Sequence, residues 1–409
     1  METQSLGRLK VRLTTAGLAP VANATVTVSS PSVPEAVMEQ LTTNEAGITE
    51  EVELAAPPPD YSQEPTAQQP YSEYMIQVNA DNYLPVTVQN VEIFPDTTAI
   101  QEATLEAEKP DVQGSLFVIP PHTLYGDYPP KIAEAEVKDT SESGEIVLNQ
   151  VVIPEFVIVH DGPPTDTSAI NHYIRFRDYI KNVASSEIYA TWPESTITAN
   201  VLAILSFTLN RVFTEWYRNQ GFNFTITSST AFDHKWIPGR NIYDNIGLIV
   251  DQIFTNYLSR PNVKQPILTQ YCDGNKVQCP NWMTQWGSKT LGDQGRTPIE
   301  ILRHFYGSSI FINSATEVSG VPVSWPGTNL TTGSSGQNVR MIQEQLNRIS
   351  DTYTAIPKVA VNGQYNQQTA DAVRAFQQTF DLPANGIVDL ATWYKISAIY
   401  VAVSRIAEG

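Results

Sequence analysis

The sequence lacks several features that would assign it to common classes of protein. Only two of its 409 residues are cysteine, which is too few for a disulfide framework. No run of about eighteen apolar residues occurs, so we expect no membrane span. The first residues, METQSLGRLKVRL, lack the apolar core of a secretory signal, so we expect no export by that route unless a leader precedes them. With 41% hydrophobic and 17% charged residues, the chain has the composition of a globular protein.

Basic charge is also scarce, and the imbalance lies in one part of the chain. The net charge is −18. Residues 1–150 contain 23 acidic and 6 basic residues, a net −17, whereas residues 151–409 contain 20 and 19, a net −1. No basic stripe is present to hold a phosphate backbone, so we expect no nucleic-acid partner. All seven tryptophans also follow residue 150. This step in composition predicts a domain boundary near residue 150.

Residues 1–109 are predicted to form an all-β sandwich. Short β-branched stretches such as ANATVTVSS and EYMIQVNA are separated by turn residues, which is typical of β-strands. The Pro-rich residues 56–70 are predicted to be a long loop between strands. This layout resembles the transthyretin-type, carboxypeptidase-regulatory-like sandwiches. Residues 110–150, rich in Pro, Glu and Ser, are assigned to a linker segment.

Residues 151–327 are predicted to form a mixed α+β domain. The domain begins with VVIPEFVIVHDGPP, whose apolar run is typical of a buried strand. Residues 270–288 are predicted to be rich in loops. Helices are predicted over residues 168–188, 192–220, 241–260 and 296–307.

Residues 328–409 are predicted to form a small domain of three helices. The turn VNGQYNQQT is partly repeated by ANGIVDLAT, and each precedes a helix, which indicates an imperfect two-unit repeat. The segment VNGQYNQQTADAVRAFQ resembles peptidoglycan-binding domain 1, a three-helix module. Asn366 and Asp389 stand where that family usually has glycine. We expect the first turn to survive because Asn tolerates a positive φ.

Glu187 occupies an unexpected position in a helical pattern. Phe176, Ile180 and Val183 recur at the spacing of a helix face that packs against a core, and residue 187 is the next on that face. A carboxyl on an apolar face is desolvated, which favours its protonated form and suits it to protonate a glycosidic oxygen. The alternative is an edge position at which Glu187 reaches water or pairs with a cation. The periodicity leaves both interpretations open.

The chain around Glu187 resembles the SpoIID/LytB domain. The residues YIKNVASSEIYATWPESTITANVLAILSFTLNRV match a helix that ends in Ser/Ala-Glu, followed by a proline-containing turn and a long helix. Further along, CPNWMTQWGSKTLGDQGRTPIEILRHFYG resembles the closing motif of the same domain. The resemblance covers roughly residues 150–315 and implies that Glu187 is the essential residue of a peptidoglycan lytic transglycosylase.

Four further residues are candidates for substrate binding in the same cleft. Asp233 lies where the SpoIID/LytB family carries polar cleft residues, and it either orients substrate, supports Glu187 or only caps a turn. Gln285, in the closing motif, is a candidate for hydrogen bonds to sugar hydroxyls or to the acetamido group. Tyr271 and Trp286 are candidate stacking surfaces, although at least one of them is expected to be a buried core aromatic.

The two cysteines, Cys272 and Cys279, flank a glycine turn and form either a structural disulfide or two plain thiols. A zinc site needs more ligands than these two, and only His234 is near enough in sequence to help. No H-E-x-x-H motif occurs, so we expect no metal and no other cofactor. These absences weaken the alternative of a zinc amidase that cuts the stem peptide. A non-catalytic adaptor that binds the wall is a further alternative.

The whole arrangement resembles the SleC-type spore-cortex-lytic enzymes, which combine an acidic N-terminal region, a SpoIID/LytB domain and a peptidoglycan-binding domain. The resemblance implies a proenzyme that lies in the cortex and coat region of the bacterial spore, outside the core. It implies spore-cortex peptidoglycan as the substrate and a subtilisin-like Csp protease as the activating partner during germination. We expect the activating cut between Gln150 and Val151, where the charge changes.

Overall fold

The protein has several domains, with β-sheets in its first part and a helical C-terminal part. The structure is a computed structural model that describes residues 5–122, 124 and 146–406. Most of the predicted linker segment, residues 125–145, lies outside the described residues.

Two β-sheets make up the N-terminal domain. Its strands are β1 (Ser5–Thr15), β2 (Thr25–Ser30), β3 (Val33–Thr42), β4 (Val52–Ala56), β5 (Ser72–Asn79), β6 (Val86–Ile93), β7 (Thr98–Leu105) and β8 (Ser115–Val118). One sheet has the order β3-β2-β5-β6-β8, and the other contains β7-β1-β4. Leu9, Val11 and Leu13 of β1 are fully buried while their neighbours are only partly so, as expected of strands that cover a core with one face. Strand β8 lies in the stretch that was predicted to be a linker segment. It forms a strand there because it pairs with β6, which is distant in sequence.

The central domain is mixed α+β. Its elements are β9 (Val152–Ile153), β10 (Phe156–His160), β11 (Asn171–Arg175), α1 (Phe176–Glu187), α2 (Glu194–Phe213), β12 (Ile226–Thr227), β13 (Ile242–Tyr243), α3 (Asp244–Ile253), β14 (Asn256–Ser259), β15 (Tyr271–Cys272), β16 (Met283–Thr284), α4 (Gln285–Asp293), α5 (Pro298–Tyr306), β17 (Phe311–Ser314) and β18 (Glu317–Val318).

Helix α2 is the centre of this domain. It packs against α1, α3, α4, α5 and β14. By length and composition it could cross a membrane, but 89% of its most apolar window is buried inside the protein, as in the core helices of soluble proteins. This helix is therefore not a sign of a membrane span.

Some predicted helix boundaries in the central domain are wrong. The helix predicted over 168–188 begins only at Phe176, because residues 171–175 form β11 against β10. The helix predicted over 241–260 is short, because residues 256–259 pair with residues 311–314. The loop-rich stretch contains β15, β16 and the start of α4. In each case a distant strand partner decides the local structure, and periodicity does not reveal that partner.

Three helices form the C-terminal domain, α6 (Gln337–Ser350), α7 (Gln367–Thr379) and α8 (Leu390–Ile406). The predicted repeat is present in detail. The amide oxygen of Gln343 accepts the backbone N–H of Gly363 at 2.9 Å, and the amide oxygen of Gln377 accepts that of Gly386 at 2.8 Å. Asparagine replaces the usual glycine at position 366 without disrupting the turn, but the reason is not the predicted positive φ. Its φ is −97°, and its side chain caps α7 by accepting the backbone N–H of Thr369.

The N-terminal domain contacts both of the other domains. Strand β13 of the central domain pairs antiparallel with β7 and so extends the N-terminal sheet. At the C-terminal domain, Lys10 and Arg12 form ion pairs with Asp381, and the hydroxyl of Tyr353 donates to the backbone carbonyl of Leu18. The N-terminal domain thus joins the domain that contains Glu187 to the helical domain.

Candidate functional site

Glu187 is the last residue of α1, and its side chain is fully buried. It shares the buried face of the helix with Ile180 and Val183, and it does not reach water. The helix ends there because Ile188 has an extended backbone. Burial disfavours a negative charge, and so does the C-terminal end of a helix dipole. Burial and the helix end therefore oppose a charge on this carboxyl, whereas the hydrogen bonds that it accepts favour one.

Both oxygens of the Glu187 carboxyl accept hydrogen bonds. Its Oε1 atom accepts the backbone N–H of Lys235 at 2.6 Å, and its Oε2 atom accepts the hydroxyl of Tyr271. The amide of Gln285 donates to the backbone carbonyl of Glu187 at 2.8 Å and so satisfies a carbonyl left open at the helix end. Tyr271 and Gln285, predicted to contact sugar, are brought to Glu187, but both are buried and act on Glu187 itself.

Asp233 anchors the segment that carries Lys235. It is fully buried, and its Oδ1 atom accepts Nε of Arg211 at 2.8 Å. Its Oδ2 atom accepts the hydroxyl of Tyr217 at 2.5 Å and the backbone N–H of Thr227 at 3.0 Å. Both oxygens are occupied, so in this form Asp233 positions the backbone that reaches Glu187 and is not open to substrate.

His234 adds packing to the same segment. Its Nδ1 atom lies 3.1 Å from the hydroxyl of Tyr179, and its ring stacks on Tyr271 with centroids 5.9 Å apart. Both rings are buried. His234 therefore helps to fix the tyrosine that donates to Glu187.

Aromatic side chains lie close to one another in the turn after Glu187 and at the start of α4. The rings of Tyr189, Trp192 and Trp286 form a cluster with centroids 5.1 to 6.1 Å apart. Tyr189 and Trp286 are half-buried and line a cavity of about 450 Å³. Trp286, the candidate stacking surface, is therefore partly accessible in this cavity, together with Tyr189.

The N-terminal domain forms the opposite wall of this cavity. Its Pro-rich loop supplies lining residues from Tyr61 to Tyr71, together with His122. In that loop the backbone carbonyl of Ser62 accepts Nε1 of Trp192 at 2.9 Å. Farther along, the backbone carbonyl of Pro121 accepts Nζ of Lys235 at 3.0 Å. Two separate segments of the N-terminal domain therefore contact Trp192, in the turn after Glu187, and Lys235, whose backbone binds Glu187.

A buried ionic cluster joins the two domains at the same place. Arg240 contacts Glu92 and His122 through its Nη2 atom, at 2.5 and 2.8 Å. Burial alone would raise the pKa of Glu92, but Arg240 and His122 lower it to about 2. Burial lowers the pKa of His122 to about 4, in spite of Glu92. His122 is therefore neutral and Glu92 ionised at neutral pH.

Replacing His122 with Gln is expected to flatten the pH dependence of stability. The unfolded chain binds a proton at His122 near pH 6.5 and the folded chain only near pH 4, so stability is lost as the pH falls between these values. Between pH 7 and 4.5 the wild type should lose about 2 kcal/mol more free energy of unfolding than His122→Gln. Urea unfolding at both pH values measures this difference. His304→Gln, an exposed histidine on α5, is the matched control and should behave as wild type.

The predicted cleavage site lies at the start of the central domain, whereas the two cysteines lie next to Tyr271 and close a loop that lines the aromatic cavity. Gln150 is exposed, and Val151 is buried next to β9, which pairs with β18. Cys272 and Cys279 are bonded to each other, with Cα atoms 6.0 Å apart, and this loop follows Tyr271 directly. Within the described ranges, no group of three His, Cys, Asp or Glu side chains is arranged to hold a metal.

Lys235, Tyr189 and Arg240 were not predicted from the sequence to belong to the site. Burial lowers the pKa of Lys235 to about 8. Tyr189 stands two residues after Glu187 at the turn between the helices, which is a signal that could have been used. The role of Lys235 depends on its backbone, and that of Arg240 on a distant carboxylate, so no local pattern indicates either one.

Comparison with known proteins identifies one domain. Residues 335–396 match the family model PG_binding_1, a peptidoglycan binding domain. This match covers α6, α7 and the beginning of α8, and it supports peptidoglycan as a partner of that domain. No curated protein matches the chain.

Similar solved structures cover small parts of the chain. The SleB N-terminal domain is 26% identical over 18% of this chain and 93% of its own, with a TM-score of 0.16. The Bacillus anthracis TIE protein is 18% identical over 25% of this chain and 17% of its own, with a TM-score of 0.18. GBS52, the minor pilin of Streptococcus agalactiae, is 12% identical over 27% and 49%, with a TM-score of 0.19. These TM-scores are too low to support an argument about fold.

Proposed function

We propose that the protein is the proenzyme of a peptidoglycan lytic transglycosylase of the bacterial spore cortex, held inactive by its N-terminal domain. The peptidoglycan binding domain at residues 335–396 supports the polymer as substrate. The resemblance of residues 150–315 to SpoIID/LytB domains supports the reaction. The observation that carries the proposal is the buried carboxyl of Glu187 between Tyr271 and Lys235, beside an aromatic cleft.

A single carboxyl can perform both proton transfers of this reaction. Glu187 gives its proton to the oxygen of the MurNAc–GlcNAc bond as the bond from that oxygen to C1 breaks. The resulting carboxylate takes the proton of the muramoyl 6-hydroxyl, whose oxygen closes the 1,6-anhydro ring on C1. Hydrolysis by the usual routes needs a second carboxylate at a defined separation. Asp233 does not supply that second carboxylate, because it is the counterion of the buried guanidinium of Arg211 and holds the backbone of Thr227.

The N-terminal domain supports the proenzyme part of the proposal. Its Ser62 loop and Pro121 contact the central domain beside the proposed catalytic residue, and its ion pairs with Asp381 hold the C-terminal domain. We place the activating cut between Gln150 and Val151, made by a subtilisin-like protease during germination. The exposure of Gln150 fits such a cut.

Analysis of the released products tests the proposed reaction. Full-length protein cut at the boundary should release 1,6-anhydro muropeptides from purified cortex, and EDTA should leave the rate unchanged. A metal amidase would instead release fragments with new amino groups and would be silenced by the chelator. An adaptor would bind cortex and release neither product. Either of these last two outcomes contradicts the transglycosylase.

A further inference from the structure

Arg240 of the central domain and Glu92 of β6 form an ion pair that is closed off from solvent. The Nη2 atom of Arg240 lies 2.5 Å from Oε2 of Glu92, and both side chains are at most 1% exposed. The same Nη2 atom donates to the backbone carbonyl of Ser185 at 2.8 Å. Among the described residues, Nε and Nη1 of Arg240 and Oε1 of Glu92 have no hydrogen-bond partner. The pair therefore lacks the second, parallel hydrogen bond that a guanidinium can form with a carboxylate.

This ion pair joins two domains that separate under the proposed activation. Desolvation cancels most of the attraction of a buried ion pair, so such a pair adds little stability to an interface. When Glu92 leaves, Arg240 keeps its bond to Ser185 and loses its counterion. Its unused nitrogens are then open to a planar group with two acceptor oxygens, which is the geometry that an arginine binds best. A replacement carboxylate would make more contacts than Glu92 makes.

The ion pair lies beside the proposed catalytic residue. Ser185, which accepts from Arg240, precedes Glu187 by two residues on α1, and Tyr189 follows it by two. In the uncut chain the ring of Tyr189 is covered by Phe94 and His122 of the N-terminal domain, with centroids 5.4 and 5.1 Å away. The aromatic surface and the guanidinium are thus covered by one domain and uncovered together.

We propose that Arg240 is a binding site for a carboxylate of the glycan strand, and that Glu92 occupies this site in the uncut chain. The inference rests on the proposed function and names a recognition element for its substrate. Two carboxylates of peptidoglycan have the required chemistry, the lactyl group of MurNAc residues without a peptide and the carboxylates of the stem peptides. Either one would sit on Arg240 while Tyr189 faces a sugar ring.

Competition with Glu92 tests the site in the complete protein. Full-length Glu187→Gln protein, which cannot consume the ligand, is cut at the boundary so that both fragments are present. Soluble glycan fragments are then added, and native mass spectrometry measures release of the N-terminal fragment. One arm uses peptide-free strands with lactyl carboxylates, a second uses strands with stem peptides, and matched samples of each are amidated to remove the charge.

Carboxylate-bearing strands are expected to release the fragment at roughly tenfold lower concentration than their amidated counterparts. The arm that shows the difference identifies the source of the carboxylate. Arg240→Gln should abolish the difference, and Arg240→Lys should reduce it because lysine keeps the charge without the fork. Arg218 is an exposed arginine, and Arg218→Gln removes the same charge. The difference between native and amidated strands should remain in this variant.

Equal release by native and amidated strands in the Glu187→Gln protein overturns the carboxylate site, and this comparison needs no Arg240 variant to fold. A charge preference that persists in Arg240→Gln overturns it as well. The proposed reaction is judged separately, on the protein with Glu187 intact. If anhydro products form there without any charge preference, only the carboxylate site is overturned; if the preference is found without anhydro products, only the reaction is.

Discussion

Glu187→Gln is expected to lower the release of anhydro-muropeptides by about 10³-fold or more, because general acid and base catalysis by one group is worth roughly 10² to 10⁴ and Glu187 performs both transfers. Glutamine has the same shape and cannot donate or accept the proton. The measurement is the initial rate of anhydro-muropeptide release from cortex by the cut protein. Binding to cortex should be unchanged, because residues 335–396 form a separate domain.

A control separates lost chemistry from lost structure. Glu194→Gln makes the same substitution at an exposed residue seven positions later, and it should keep the wild-type rate. In Glu187→Gln the amide oxygen can still accept the backbone N–H of Lys235, and the hydroxyl of Tyr271 can rotate to accept a hydrogen bond from the amide nitrogen. The thermal midpoint should therefore stay close to wild type. Full activity in folded Glu187→Gln protein would contradict the proposed mechanism.

The uncut chain is expected to release products at least about a hundredfold more slowly than the cut chain. The N-terminal domain is held on the central domain by the pairing of β7 with β13 and by the contacts of Phe94 with Tyr189 and Tyr243, and these keep the covered form dominant. Rates measured on the same preparation before and after the cut give the ratio. Equal turnover by both forms would rule out the proenzyme.

A single glycine tests whether docking of the N-terminal domain causes this latency. Gly239 has a φ of +72°, and a Cβ atom there would lie 2.6 Å from Cγ of Phe117 in β8. Gly239→Ala should therefore loosen the docking and raise the rate of the uncut chain. Gly295 has a φ of +75°, and a Cβ atom there would have no neighbour within 4 Å, so Gly295→Ala carries the same backbone strain without the clash. A rise in both variants would assign the effect to strain.

The placement of Glu187 on a buried helix face is predictable because helical periodicity is local. Phe176, Ile180 and Val183 define that face within a few turns. The repeat in the C-terminal domain is predictable for the same reason, since each turn and the helix that follows it are adjacent in sequence. Both features need no information from distant parts of the chain.

The rest of the site depends on partners far apart in sequence. Asp233 is bound by Arg211, 22 residues away, and Arg240 is paired with Glu92, 148 residues away. Strand β14 was predicted as helix because its partner β17 lies beyond two further helices. A residue pattern reports which face is apolar, but the partner of a buried charge or of a strand edge is a property of the folded chain.

The basic residues of the N-terminal domain have a further effect on its surface. Lys10 and Arg12, two of only six basic residues in the first 150, are engaged by Asp381 of the C-terminal domain. The uncut protein keeps its net charge of −18, almost all of it from residues 1–150, and a polymer rich in carboxylates repels it. Loss of residues 1–150 leaves a nearly neutral protein. One proteolytic event would thus change adhesion to the wall as well as chemistry, and the change in adhesion would fade as salt screens the repulsion.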